Sequence, residues 1–203
     1  MVRLVVDNDV PPEIAPLLTP CHFLALHKDP DDLTKLRPIG IGTAWRRIVG
    51  SLIATIFADD FASLLLPFGQ FGVAVSGGID FMSHLATAQF DNFIAKPLKA
   101  GKAPTRALLL LDIINMFNQL SRDAARDALA AEPTLHSILP YFDLMYSTAN
   151  YCYFTRPDGT LDYFAQEEGF PQGDPLSVAL VCMVLLQLLR PLNTHLKQRA
   201  EDR

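Results

Sequence analysis

Apolar residues alternate with polar ones in some stretches and recur at helical spacing in others, and each change of period marks an element. His22 to Lys28 and Leu36 to Ile41 read as two short strands. The turn-rich link Asp29-Pro30-Asp31-Asp32-Leu33-Thr34 between them predicts a hairpin. Pro38 confines the second strand to an edge, or itself to the strand's first residues, because it cannot donate to a ladder. Ahead of the hairpin, Pro11-Pro12-Glu13 opens a short helix through Leu18, with proline in the first turn where its missing N–H costs little. From Thr43 to about Leu66 the spacing is helical, through Trp45, Ile48, Leu52, Ile56, Ala62, Leu65 and Leu66. Thr43 serves as N-cap and Pro67-Phe68-Gly69 as the stop.

Phe71 to Val75 reads as extended and Ser76-Gly77-Gly78 as a turn. Ile79 to about Ala95 is helical and closes before Pro97, and Lys96 to Arg106 is a basic loop. Ala107 to Leu111 is a continuous apolar run ending in Asp112, which predicts a strand buried on both faces. Ser121 caps a helix to Ala131. Tyr151 to Thr155 and Leu161 to Ala165 flank Arg156-Pro157-Asp158-Gly159-Thr160 as a second hairpin. A last helix opens at Pro175 and runs to about Arg190. Strands and helices do not alternate strictly, so the fold class is α+β, with no linker separating two folding units.

Composition narrows the function classes. The 203 residues are 50% hydrophobic and 19% charged, which excludes a disordered chain. Cys21, Cys152 and Cys182 are odd in number and lack metal-ligand spacing, so they read as reduced thiols of an intracellular protein. The apolar stretch Leu176 to Leu189 falls short of the roughly 20 residues of a membrane span. A buried helix and no membrane partner are expected, and the N-terminus carries acids too early for a secretory signal. The net charge of −5 gives no global basic surplus for nucleic acid, though local placement still counts.

Two segments carry candidate chemistry. Asp112, at the end of the apolar run, is placed to hold a divalent metal at the mouth of a sheet; a turn-capping role is the plainer alternative. Gly169-Phe170-Pro171-Gln172-Gly173-Asp174-Pro175-Leu176-Ser177 is a loop feeding a helix, with Asp174 as cap and Pro175 at the first turn. Its backbone N–H groups and the Gln172 amide can face a polyanion or a base edge.

In this order the two segments resemble motifs of reverse transcriptases, nearest to those of non-LTR retrotransposons. In that family the first catalytic Asp is followed five residues later by an aromatic, as Asp112 and Phe117 are, and the next motif reads Gln-Gly-Asp-Pro-Leu-Ser, as Gln172 to Ser177 do. Lys28 with Lys35-Leu36-Arg37-Pro38-Ile39 is similar to the family's fingers hairpin. Gln70-Phe71-Gly72-Val73 with Gly77-Gly78 is similar to its fingers-to-palm stretch. The resemblance spans about Leu24 to Leu192. It implies a right-hand polymerase with fingers and connection over about 20–106, a palm over about 107–192 and a polar tail over 193–203. It also implies Mg²⁺ held by Asp112 and the Ile113 main-chain carbonyl, in a two-metal transfer of deoxynucleotides onto a DNA primer along an RNA template. Arg37 and Lys28 would meet the incoming dNTP's triphosphate, Phe117 would sit under its sugar and reject a 2′-hydroxyl, and Gln172 and Gly173 would help position the templating base and nucleotide. The palm sheet is expected to be incomplete and the thumb missing, because no aromatic-x-Asp-Asp hairpin follows Ser177 and the later acids are Glu201 and Asp202. Phe57-Ala58-Asp59-Asp60 has matching letters but lies ahead of Asp112 inside a helix. The chain is therefore expected to be a truncated RNA-directed DNA polymerase core, inactive alone.

Two other readings remain. Ser76-Gly77-Gly78-Ile79-Asp80 resembles the phosphate loop of ATP pyrophosphatases, with Phe81 where that family has Ser. The other is a non-enzymatic RNA-binding remnant, which shares the fold and differs only in activity. No Gly-x-Ser-x-Gly elbow or Gly-x-x-x-x-Gly-Lys loop is present, and the five histidines show no metal-binding pairing.

Overall fold

The computed structural model describes residues 2–201 and is a mixed α+β fold around one four-stranded mixed sheet. After α1 (Val2–Val6) and α2 (Ala15–Leu18), the hairpin β1 (Cys21–Asp29) and β2 (Asp32–Gly42) forms where the two strand segments and the turn residues between them predicted it. Asp29 and Asp32 accept hydrogen bonds from the N–H groups of Asp31 and Thr34, so the turn is built by its own carboxylates. The second hairpin, β3 (Asn150–Thr155) and β4 (Leu161–Gln166), docks parallel to β1 through Cys21↔Cys152 and His22↔Tyr153, giving the order β2-β1-β3-β4. Pro38 therefore lies on an edge strand, as a residue with no N–H must.

Thr43 caps α3 (Ala44–Ile56) by accepting from the Arg46 N–H at 3.3 Å. The helix then bends by 59° near Phe57 into the α4 (Ala58–Leu65) arm. The apolar stripe that marked the helix in the sequence, Trp45, Ile48, Leu52 and Ile56, lies on the outside of α3. The inner face is Arg46, Val49, Gly50 and Ile53, one position over. Both stripes repeat at helical spacing, so periodicity alone does not choose between them.

The stretch 71–75 is a run of bends, with Ala74 at φ 56°, rather than a strand. α5 (Gly78–Phe90) runs past the expected stop, through a π-helical turn (Asp91–Ala95) and into α6 (Lys96–Lys99). Pro97 is tolerated there in the first turn of α6. The expected strand 107–111 does not form. Its residues have no regular structure, and Leu109, Leu110 and Leu111 are 77–81% exposed. A strand buried on both faces needs a hydrogen-bonded neighbour and two covering layers, and none of β1 to β4 pairs with it.

α7 (Met116–Gln119) follows. Then come α8 (Arg122–Ala130), capped by Ser121, a 3₁₀ segment (Pro133–Ile138) and α9 (Leu139–Tyr146). α10 (Ser177–Glu201) is longer than its periodicity indicated and absorbs residues 193–201 of the polar tail, whereas 202–203 lie outside the described residues. By length and composition the stretch Ser177–Arg199 could cross a membrane, but Ala179, Leu180, Met183 and Leu186 bury one side of it in the core. That core gathers α1, α3, α4, α8, α9 and α10 around Val49, Phe61, Leu129, Tyr141, Met145 and Phe170. Each such large apolar side chain contributes about 1.5–3 kcal/mol on burial. All three cysteines are free. Burial pushes the Cys152 thiol up to about 12, which disfavours its thiolate.

Candidate functional site

The loop 169–177 joins three parts of the molecule. The Gly169 and Phe170 N–H groups donate to Leu120 O (3.0 Å) and Phe117 O (2.6 Å), tying it to the α7 turn. The Gln172 carbonyl accepts from Gly40 N–H at 2.7 Å, tying it to edge strand β2. Asp174 Oδ2 accepts from Arg46 Nε at 2.7 Å, tying it to α3. Asp174 Oδ1 also caps α10 by accepting from the Leu176 N–H at 3.0 Å. The capping role expected of Asp174 is present, and the buried ion pair adds to it.

Two glycines make these approaches possible. Gly169 has φ 68°, and a Cβ there would stand 2.4 Å from the Phe117 oxygen and the Asn118 carbonyl carbon. Gly173 has φ 113°, and a Cβ would stand 2.8 Å from Gly40 O. Gly169→Ala is expected to cost about 3 kcal/mol or more, since left-handed strain and a backbone clash add. Urea melting checks the size, and a loss below about 1 kcal/mol would show that the loop relaxes without harm.

Beside this loop lies an open cleft of about 480 Å³ lined by Lys28, Leu36, Arg37, Pro38, Leu111 to Phe117, Gln172 and Leu185. Lys28, Arg37, Asp112, Ile113, Phe117 and Gln172, the site residues expected from sequence, thus share one cavity wall. Gly173 is not on that wall; it acts one position away by letting the loop close on β2. Phe117 is half-buried, whereas Lys28, Arg37, Asp112 and Ile113 are exposed. Asn115, in the left-handed region at φ 52°, turns the chain between Asp112 and Phe117 and opens α7. Asp112 makes no hydrogen bond or ion pair among the described residues, so its carboxylate is free to take a ligand. Among the described residues it is also the one carboxylate lining the cleft. Among the described residues no three His, Cys, Asp or Glu side chains gather as a metal-binding group. Asp59 and Asp60 lie in the first turn of α4, away from this wall.

Ser76 to Asp80 open α5, with Gly77 left-handed at φ 66° and Gly78 N–H donating to Val75 O. No strand feeds this loop, since 71–75 is bent. Gln70, at the head of the same motif, donates its side-chain amide to Cys182 O of α10 at 3.0 Å.

The residues that hold the cleft's frame are two arginines that the motifs did not single out. Arg46 is fully buried. Its Nη1 donates to Thr19 O at 2.6 Å, and its guanidinium lies over the Tyr146 ring. Burial pulls its pKa down, but Asp174, Tyr146 and Cys21 outweigh that, and it stands well above the usual arginine value. Arg122 donates to the carbonyls of Gly169, Tyr146, Thr148 and Gln166 and to Asn150 Oδ1. One signal was available for both. Arg46 is in phase with Val49, Gly50 and Ile53, and Arg122 with Ala125 and Leu129, so each sits on the buried face of its own helix. No protein-family model matches the chain, and no curated protein matches it.

Proposed function

We propose that this chain is the fingers and part of the palm of a reverse-transcriptase-like polymerase, an RNA-directed DNA polymerase whose partners are an RNA template, a DNA primer and dNTPs. The observation that carries the proposal is the convergence of Lys28, Arg37, Asp112, Ile113, Phe117 and Gln172, from three separate stretches of sequence, on one cleft.

The donor set suits Mg²⁺, which takes hard oxygen ligands and typically one or two carboxylates beside substrate phosphates. The free Asp112 carboxylate and the Ile113 carbonyl would hold it, and when bound it would supply positive charge to the phosphoryl oxygens. The Arg37 guanidinium and the Lys28 ammonium, both exposed and lining the same cleft, would grip the triphosphate. Phe117 would form the floor beneath the sugar and leave no room for a 2′-hydroxyl. Gln172, its carbonyl fixed to Gly40, would present its amide to the base. The second carboxylate that two-metal transfer requires is not on this wall. Strands pairing with 107–111 are where that carboxylate would enter.

The surface of the chain favours the same reading. Its accessible area is 13046 Å² for 22.5 kDa. A compact monomer of that mass exposes roughly 9,500 Å². Leu108 to Ile114, except Asp112, and the α5 side chains Phe81, Met82 and Leu85 account for part of the excess.

Equilibrium binding of a labelled dNTP, with and without Mg²⁺, tests the proposal. The chain is expected to bind dNTP more tightly with Mg²⁺ and to lose at least about tenfold of that gain in Asp112→Ala, about 1.4 kcal/mol. Arg37→Ala is expected to weaken binding under both conditions. Primer extension by the chain alone is not expected. Mg²⁺-dependent binding that survives Asp112→Ala unchanged would remove the polymerase reading.

A further inference from the structure

The two faces of the sheet are unlike. Cys21, Phe23, Cys152 and Gln166 point to the buried face, where Phe23, Phe154 and Phe164 pack together. Alternation and register put His22, Leu24, Leu26, Arg37, Ile39 and Ile41 of the first hairpin on the other face, beside Tyr151, Tyr153 and Tyr163 of the second. Among the described residues no element covers this second face: every one of these residues is exposed or half-exposed. Tyr163 sits between the other two tyrosines, with ring centroids 5.6 Å from Tyr151 and 5.8 Å from Tyr153, and is 59% exposed. None of the three hydroxyls has a hydrogen-bond partner among the described residues.

We propose that this tyrosine ledge is a stacking platform for single-stranded RNA that enters or leaves the cleft across the open face of the sheet. The proposal extends the polymerase reading by giving the template strand a path outside the cleft. Three observations select this occupant. Among the described strand residues this face carries the cation Arg37 and no carboxylate, within a chain that is acidic overall, so its local charge suits a polyanion. It is continuous with the cleft, because Arg37 both lines that cleft and projects on this face. The span from β2 to β4 is three strand spacings, about 14 Å, enough for two or three splayed nucleotides. Bases stack on aromatic rings with little regard to sequence, as a template path requires. The unpartnered phenol hydroxyls can bond to 2′-hydroxyls, which favours RNA over DNA.

The test is fluorescence anisotropy of a labelled, unstructured 12-nucleotide RNA with the full chain, with neither Mg²⁺ nor nucleotide present. A failure here is then separate from a failure of the dNTP experiment, which contains no RNA. The chain is expected to bind, more tightly to RNA than to the matching DNA, with a log–log salt slope of about −0.7 per phosphate contacted. Tyr151→Ser with Tyr163→Ser is expected to weaken binding by at least about tenfold. Tyr151→Phe with Tyr163→Phe keeps the rings, and is expected to keep most of the affinity while narrowing the preference for RNA. Circular dichroism of each variant establishes that the sheet is intact. No binding by the wild-type chain, or equal binding by a folded serine variant, would overturn the proposal. So would concentration-dependent self-association of the wild-type chain that the serine variant abolishes, since the occupant would then be a second copy.

Discussion

Asp174→Asn is expected to destabilise the chain by about 3–5 kcal/mol, the cost of leaving one member of a buried ion pair uncompensated. Arg46 and Asp174 are both almost completely excluded from solvent, and their 2.7 Å contact joins α3 to the start of α10. Asparagine keeps the size and can still accept from the Leu176 N–H, so the cap survives and the charge is what is lost. Arg46 then has only Thr19 O as a polar contact, with its Nη2 already lacking a partner. Urea unfolding monitored by far-UV circular dichroism measures the loss; a change under about 1 kcal/mol would mean that water reaches the guanidinium. Arg46→Met combined with Asp174→Asn is expected to recover part of the loss, because it removes the orphaned charge. The same substitution bears on the cleft. Gln172 and Gly173 immediately precede Asp174, so a loosened α10 start is expected to weaken dNTP binding along with stability.

Local chemistry explains which parts of the fold were legible. The caps at Thr43 and Ser121 and both hairpin turns are decided within four or five residues, by side chains that bond to their own backbone, and all four occur where expected. The edge position of Pro38 follows from a missing N–H and needs no tertiary knowledge. What failed depends on neighbours. The run 107–111 has the composition of a central strand, yet a strand exists only where another pairs with it. Trp45 and Ile48 form as good an apolar stripe as Val49 and Ile53, and only the packing of α1, α9 and α10 selects the second. The extension of α5 past Pro97 shows a proline acting as a helix start where a stop was expected.

The candidate site shows the same division. Asp112, Phe117, Gln172, Lys28 and Arg37 were legible because motif order places residues that are far apart in sequence, and they meet in one cleft. Arg46 and Arg122 were not, because a charged residue is ordinarily solvated, and their phase with the buried positions of their own helices is the one local mark against that. Tyr151, Tyr153 and Tyr163 are a third case. Each was legible as a strand residue, but their shared face depends on the pairing of β3 with β1, which is set by contacts distant in sequence.

Arg122→Met is expected to cost about 4 kcal/mol or more, although methionine matches much of the arginine's volume and carries no charge. Two effects oppose each other. Burial, followed by the nearby positive charge of Arg46, lowers the Arg122 pKa, and among the described residues no carboxylate is hydrogen-bonded to it. Removing the charge therefore relieves a desolvation cost. Against that, four main-chain carbonyls and Asn150 Oδ1 lose their donor together, in places where little water can replace it. Each stranded acceptor costs about 1–3 kcal/mol, so the second effect wins unless most of the five find water. The loss is also structural, because these acceptors belong to the end of α9, the start of β3, the end of β4 and the loop at Gly169. Arg122 is thus the common donor between the second hairpin and the loop that positions Gln172. Arg122→Lys is expected to recover less than half, since one ammonium lacks the planar fork that reaches several acceptors at once. Urea melting gives the magnitudes, and limited proteolysis within 147–170 reports whether this joint opens ahead of the core. A methionine variant as stable as the wild type would show instead that the buried charge, and not its hydrogen bonds, dominates at this position.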